Sequence, residues 1–359
     1  MKRIAIFHNY MDNIGGAERV GLTLAQGLGA DIYATVANRD AIRRMGFDVG
    51  IKTLGWIPTN APWRQQMASW RFSRLDVADN YDAFIIDGDW AVSAAPRHKP
   101  NVWYVHSPIR EIWDLYDFTR EHHVRSLGRP LFDTWAQYNR RLNREHVRHV
   151  DRIVCNSTNT QERVRRFLGR ESDVVHPPIE TSQFHYTKNG PFWLSVNRLV
   201  AHKRVDLQMK AFARMPHERL VIVGSHEQSR HVQEYTAYLR SIKPENVMLL
   251  EQVPFAMLIE LYAHCKGFIT TSHNEDFGMT PVEAMASGKP VIAPNEGGYK
   301  ESVIDGKTGT LIDDITVEKL VRAVGDVGSS TRSYRRACER NAARFDTSVF
   351  LEKMRRYIA

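Results

Sequence analysis

Short apolar runs recur along this chain, and most are followed by a loop and a stretch with helical character. The runs are RIAIFHN (3–9), DIYATVA (31–37), DAFIIDG (82–88), NVWYVHS (101–107) and RIVCNS (152–157). HPPIETSQF (176–184) interrupts the rhythm with a Pro-Pro pair and reads as a linker. The rhythm then restarts with FWLSVNR (192–198), RLVIVGS (219–225), NVMLLEQ (246–252), GFITTS (267–272), KPVIA (289–293) and GTLID (309–313). Such runs suit strands covered on both faces, and their alternation with helices implies parallel sheets. The expected fold class is α/β, with two doubly wound Rossmann-like domains facing across a cleft. The expected boundaries are 1–178, 179–344, and a C-terminal helix over 345–359. In that tail Phe345, Val349, Phe350, Met354 and Ile358 fall near helical spacing.

A chain of 359 residues is long for one core and suits two. Cys155, Cys265 and Cys338 have no metal-type spacing, and an odd, sparse count suits a reducing cytoplasm. The apolar part of MKRIAIFHNY is too short for a signal-peptide core, and no run reaches membrane-spanning length. A net charge of +8 implies a polyanionic partner: nucleic acid, membrane phosphate or a phosphorylated ligand.

Ligands of doubly wound sheets bind at the C-terminal ends of strands. Five loops lie there: NYMDNIGGAE, HSPIREIWD, NRLVAHKR, HNEDFG and PNEGGYKE. Gly15 and Gly16 open a helix directly after the first strand, which makes a candidate anion site or a plain tight turn. The pattern is GGAE and not GxGxxG, so a dinucleotide site is poorly supported. Arg198 and Lys203 could clamp a diphosphate, one as a fork and one as a point charge. In EDFGMTPVE (275–283), Thr280 is expected as an N-cap, Pro281 at the first helical position and Glu283 in a capping box. That account leaves Glu275, Asp276, Phe277 and Gly278 unexplained.

Four ordered segments carry a resemblance: GGAE, SVNRLVAHKRVDL, EDFGMTPVEAMASGKPVIA and GGYKESVIDGKTGTL. Together they resemble the retaining GT-B glycosyltransferases of family GT4, whose paired-glutamate spacing Glu275 and Glu283 match. The resemblance implies that Glu283 holds the ribose hydroxyls of a nucleotide-sugar donor. Glu275 and the backbone of Asp276, Phe277 and Gly278 would hold the donor sugar. Arg198 and Lys203 would bind the diphosphate, with Gly15 and Gly16 meeting it from the other domain. Gln252 and Val253 would lie beside the base. His106 matches the family's sugar-contacting histidine, so the implied catalytic set is His106, Glu275, Arg198 and Lys203. HSPIR followed by WD resembles the family's bacterial mannosyltransferases, which implies GDP-mannose as donor. No cofactor or metal is implied, and no residue reads as a nucleophile. Glu296, Gly297, Gly298 and Glu301 match a further family segment without an assigned role. The family's C-terminal tail packs back on the first domain.

Asp87-Gly88-Asp89 is a DxD triplet, the metal mark of a different glycosyltransferase fold; at a strand end an acidic turn is the plainer reading. Trp63, Met67, Trp70 and Arg74 fall at helical spacing, and residues 120–152 carry eight arginines against four acids. Such a stripe either lies on anionic membrane near a lipid-diphosphate-linked acceptor or belongs to the core. Nucleic-acid motif types are lacking, so no nucleic-acid partner is expected.

The implied function is transfer of a hexose, mannose from GDP-mannose, to a glycan or lipid-linked acceptor in surface polysaccharide assembly. The expected place is the cytoplasm, with a peripheral position on the inner membrane face left open. A UDP-sugar-dependent transferase, a related sugar-nucleotide epimerase and a non-catalytic nucleotide-sugar-binding scaffold stay open as alternatives.

Overall fold

Every apolar run singled out above is a strand in the computed structural model, which describes residues 2–225, 230–251 and 253–358. The chain divides into two units, Met1–Pro178 with Ser348–Ala359, and Ile179–Thr347. In the first unit the strands are β1 (Ile4–Phe7), β2 (Asp31–Ala34), β3 (Ile51–Thr53), β4 (Ala83–Ile86), β5 (Asn101–Val105), β6 (Arg152–Cys155) and β7 (Asp173–Val174). They pair in parallel in the order β3-β2-β1-β4-β5-β6-β7. The second unit has β8 (Phe192–Arg198), β9 (Arg219–Ser225), β10 (Val247–Glu251), β11 (Gly267–Ile269), β12 (Val291–Pro294) and β13 (Gly309–Ile312). Its order is β10-β9-β8-β11-β12-β13, again parallel.

Two edge strands, β3 and β7, are absent from the sequence reading. They are three and two residues long, and neither contains a fully buried residue. No apolar run marks them because no core lies on both their faces.

Neighbouring residues on the central strands of the second unit feed different cores. Trp193, Ile269 and Ile292 pack on one side of the sheet. Leu194, Phe268, Val291 and Ala293 pack on the other. A buried Val, Leu, Ile or Phe side chain contributes about 1.5–3 kcal/mol by leaving water, so burial on two faces locks the strand register.

The C-terminal helix runs Thr347–Ile358 and belongs to the first unit. Phe350 meets the Tyr104 ring edge-on at 5.5 Å, Leu351 fills the space above Gly27, and Arg355 donates to the Gly27 carbonyl at 3.0 Å. Phe345 does not share that helix. It packs on Phe277 in the second unit, with ring centroids 5.3 Å apart. Ile179 N–H donates to the Phe345 carbonyl at 2.9 Å, and Thr347 N–H donates to the Ile179 carbonyl at 3.0 Å. The linker and the start of the tail are therefore hydrogen-bonded side by side.

The stripe of Trp63, Met67, Trp70 and Arg74 is not a core face. On the helix Trp63–Arg74 the buried positions are Ala68 and Phe72, while Trp63 and Trp70 are exposed.

Candidate functional site

Strand order reverses direction between β1 and β4 in the first unit and between β8 and β11 in the second. Loops leaving adjacent strands at such a switch point diverge to opposite faces and open a crevice. In the second unit the loops after β8 and β11 carry Arg198 and Lys203, and Glu275 through Gly278.

The structure brings two of these residues together. Lys203 Nζ donates to Glu275 Oε2 at 2.5 Å, and both side chains are largely buried. Burial opposes charge on Glu275, but Lys203 outweighs it and holds the carboxyl well below its ordinary range. Arg198 ends β8 and is exposed.

Arg204, which the sequence reading passed over, organises the same place. It takes the left-handed conformation at φ 50° and caps the helix Val205–Ala213. Its guanidinium donates to the carbonyls of Thr271 and Ser272 and pairs with Glu296. Glu296 also faces His273 Nδ1 at 2.9 Å. Glu296 thus gains a role: it ties the loop after β12 to the loops after β8 and β11.

The glycines explain how the loop 275–278 is held. Gly298 N–H donates to the Glu275 carbonyl at 2.8 Å. A Cβ on Gly297 would strike the Glu275 backbone, and one on Gly298 would strike the Phe277 Cα. Backbone lies on backbone here, which only glycine permits. Phe277 points inward at 2% exposure and packs in the core of the second unit, so its side chain anchors the loop.

Gly278, at φ 86°, is the N-cap of the helix Met279–Ala286. This corrects the expected capping box. The helix begins before Thr280, and no side chain caps it. The left-handed turn at Gly278 starts the helix early because a glycine can make it without strain. Glu283 instead accepts a hydrogen bond from the Tyr262 hydroxyl at 2.8 Å and is 6% exposed. Tyr262 is fully buried on the helix Phe255–His264, and nothing in its sequence context separates it from an ordinary core tyrosine. Val253 is half-buried at the foot of that helix; Gln252 lies outside the described residues.

In the first unit His106 follows β5 directly. Its Nε2 lies 2.8 Å from Asp87 Oδ1, and His8 Nδ1 lies 2.8 Å from Asp87 Oδ2. Asp89 accepts from Asn9 at 2.5 Å and from the Trp90 N–H at 2.8 Å. The two carboxylates of the DxD triplet therefore serve two separate networks. Gly15 is the N-cap of the helix Gly16–Leu28, and its N–H donates to Glu18 Oε2 at 2.8 Å. One amide of the Gly-Gly turn is thus satisfied from within the helix, which narrows the anion site drawn from the sequence.

Residues 14–183 match the family model described as Glycosyltransferase Family 4, and residues 179–345 match Glycosyl transferases group 1. The chain belongs to these glycosyltransferases. It is 27% identical to the alpha-1,3/1,6-mannosyltransferase alg-2 of Neurospora crassa over 295 residues, which is 67% of this chain and 61% of the relative. The chain therefore spans less than two thirds of that relative's length. Against alg2 of Schizosaccharomyces pombe the identity is 27% over 86% of this chain and 70% of the relative. A GDP-mannose-dependent alpha-(1-6)-phosphatidylinositol monomannoside mannosyltransferase of Mycolicibacterium smegmatis is 31% identical over 51% of this chain and 54% of its own. Among solved structures, Anabaena Alr3699/HepE in complex with UDP-glucose aligns with a TM-score of 0.79 at 18% identity, covering 99% of both chains. Sucrose-phosphate synthase from Thermosynechococcus elongatus aligns at 0.77 and 15% identity, covering 99% of this chain and 98% of its own. These glycosyltransferases share the GT-B fold with the chain.

Proposed function

We propose that this glycosyltransferase moves mannose from GDP-mannose, with retention at the anomeric carbon, to a glycan or lipid-diphosphate-linked acceptor. The observation that carries the reading is the Lys203–Glu275 pair on a glycine-backed loop at the switch point of the second unit. Departure of a nucleoside diphosphate puts negative charge on phosphate oxygens, and fixed cations in a largely dry site stabilise it best. Lys203 and Arg198 supply those cations. Glu275, with the backbone of Asp276, Phe277 and Gly278, holds sugar hydroxyls. Glu283, held at one oxygen by Tyr262, contacts the ribose. Val253 and Gln252 flank the base. His106 serves the sugar, and Gly15 and Gly16 form a phosphate-facing turn. No metal is assigned a role.

GDP-mannose is favoured over a UDP-sugar by the names of the mannosyltransferase relatives. A UDP-sugar donor is the second reading, favoured by the UDP-glucose held by Alr3699/HepE. Among the described residues no helix is long and apolar enough to cross a membrane. Trp63 and Trp70 are 68% and 47% exposed, and Leu127 and Leu131 are 96% and 76% exposed. Arg71 and Arg74 lie over the Trp70 ring. Exposed apolar groups beside arginines favour a peripheral contact with anionic lipid, which suits a lipid-linked acceptor in surface polysaccharide assembly on the cytoplasmic face.

The test is hydrolysis and transfer measured across a panel of GDP- and UDP-sugars, with and without a strong chelator. GDP-mannose should be turned over best, and chelation should leave the rate unchanged. Turnover confined to UDP-sugars would replace the donor. Tight donor binding with no turnover, even with lipid acceptors, would favour a scaffold.

A further inference from the structure

Asp87 is a carboxylate shared by two imidazoles, and the second imidazole has another carboxylate behind it. His106 Nε2 and His8 Nδ1 each lie 2.8 Å from one Asp87 oxygen. His8 Nε2 faces Glu18 Oε1 at 3.6 Å, and Glu18 Oε2 accepts from Gly15 N–H. The path runs from the Gly15 amide through Glu18, His8 and Asp87 to the ring of His106.

Water has little access to its centre. Asp87 is 1% exposed and His8 3%. The helix Gly16–Leu28 closes over them at Gly21, where a Cβ would come within 2.5 Å of Asp87 Oδ2. A buried carboxylate in such a place needs donors on both oxygens. An ionised carboxylate only accepts, so Nδ1 of His8 donates to Asp87, while Glu18, 3.6 Å from Nε2, lies beyond hydrogen-bond reach and acts as a nearby negative charge. A ring flanked by two carboxylates is favoured as the imidazolium. Burial alone would strip that proton, but Asp87 and Glu18 outweigh burial and push the pKa up to about 10. The remaining Asp87 oxygen takes the Nε2–H of His106, and in the neutral ring that leaves Nδ1 as an acceptor.

We propose that His8 is a positioning residue for His106: clamped as a cation between Asp87 and Glu18, it fixes Asp87 so that His106 presents Nδ1, as an acceptor, to a donor-sugar hydroxyl. The proposal rests on the reading that His106 serves the sugar. It also gives a role to His8 after β1, Asp87 after β4 and Glu18 in the first turn of the helix Gly16–Leu28. The other charged or titratable groups facing this cluster are Asp89, whose carboxyl is pushed up by burial and held by Asn9, and Tyr104, whose ring meets His106 edge-on at 5.2 Å. Tyr104 donates its hydroxyl to the Val175 carbonyl, so it does not compete for Asp87.

The experiment is long-range proton–nitrogen NMR on the full chain with 15N-labelled histidine, assigned by comparison with His8→Gln and His106→Ala. At pH 7.5 His8 should show both nitrogens protonated, and His106 should show a single tautomer with the proton on Nε2. In His8→Gln the cation that fixes Asp87 is gone, so the His106 ring should lose its single-tautomer pattern and its nitrogen shifts should move. Donor KM should rise in the same variant by more than kcat falls. If His8→Gln does not fold, Glu18→Gln, at a partly exposed carboxylate, should lower the His8 midpoint by at least one unit. A neutral His8 at pH 7.5, or a His106 spectrum unmoved by loss of the His8 charge, overturns the proposal. Donor kinetics unchanged in His106→Ala would instead overturn the sugar-contact reading on which it rests; the NMR arm needs no donor and separates the two failures.

Discussion

Lys203 Nζ stands 2.5 Å from Glu275 Oε2, although 72 positions separate them along the chain. Lys203 keeps the Glu275 carboxyl charged in a largely buried place. Lys203→Met leaves the Glu275 carboxylate buried without its cation, which costs about 3–5 kcal/mol where an ion pair is fully desolvated and less here because both side chains keep some exposure. Glu275→Gln should cost less, since an amide still accepts. The double variant should be more stable than the sum of the singles predicts, with a coupling of about 1–3 kcal/mol. Chemical denaturation of the four proteins reads this directly. Strict additivity would mean the pair is not formed in solution.

Gly298→Ala should damage the site without a comparable loss of fold. The added methyl meets backbone atoms of Asp276 and Phe277, which cannot rotate away. The loop must shift, at a cost of about 1–3 kcal/mol for overpacking, and donor affinity should fall at least tenfold. Gly325→Ala is the control: nothing lies within 4 Å of its added Cβ, on the helix Val317–Gly328. That variant should be neutral or more stable by about 0.5–1 kcal/mol. Isothermal titration with donor and thermal unfolding of both variants would check the contrast.

Glu283→Gln and Tyr262→Phe address the ribose reading. The first keeps an acceptor but removes the charge; it should raise donor KM by about 1–2 kcal/mol in binding terms and leave kcat nearly unchanged, since ribose contacts act alike before and in the transition state. The second frees the carboxylate that Tyr262 holds and should raise KM by a smaller factor. A lowered melting temperature with unchanged KM in both variants would make Glu283 purely structural.

Stability should depend on pH through His8. Its pKa is raised from 6.5 to about 10 on folding. The folded state then binds a proton that the unfolded chain releases, so this stabilisation is fully present below about pH 6.5 and is lost as pH rises through about 10. Unfolding free energy measured across that window should decline, and the decline should flatten in His8→Gln. Glu275 acts in the opposite sense: its depressed carboxyl contributes above its unfolded pKa and is lost as pH falls through the depressed value.

Removal of residues 348–359 should destabilise the first unit selectively. Phe350, Met354 and Ile358 are buried, and Lys2 donates to the Ile358 carbonyl at 3.0 Å. Hydrogen exchange should accelerate in β5 and in the helix Gly16–Leu28, which lose Phe350 and Leu351, while the sheet of the second unit keeps its protection. Equal exchange in intact and truncated chains would show that the helix adds nothing to that unit.

Much of this was legible in the residues themselves. A strand covered on both faces is largely apolar, so β1, β4, β5, β8, β9 and β12 announce themselves, and the loops that follow them are where a doubly wound sheet takes a ligand. The Gly297-Gly298 pair marks a close backbone approach, though not to what. Tertiary structure alone decided the partners. Lys203 meets Glu275, and Asp87 joins His8 to His106, because parallel pairing of strands far apart in sequence sets their C-terminal ends side by side. Tyr262 meets Glu283 because the helices Phe255–His264 and Met279–Ala286 pack together. The helix after Gly278 starts early for a similar reason: local propensity favoured Thr280 as its cap, but the turn is held by Tyr299 and by the loop at Gly297–Gly298, which no neighbouring residue in sequence reveals. Periodicity and turn chemistry are local and can be read along the chain; the pairing of charges depends on which strands lie next to each other, and that is a property of the folded sheet.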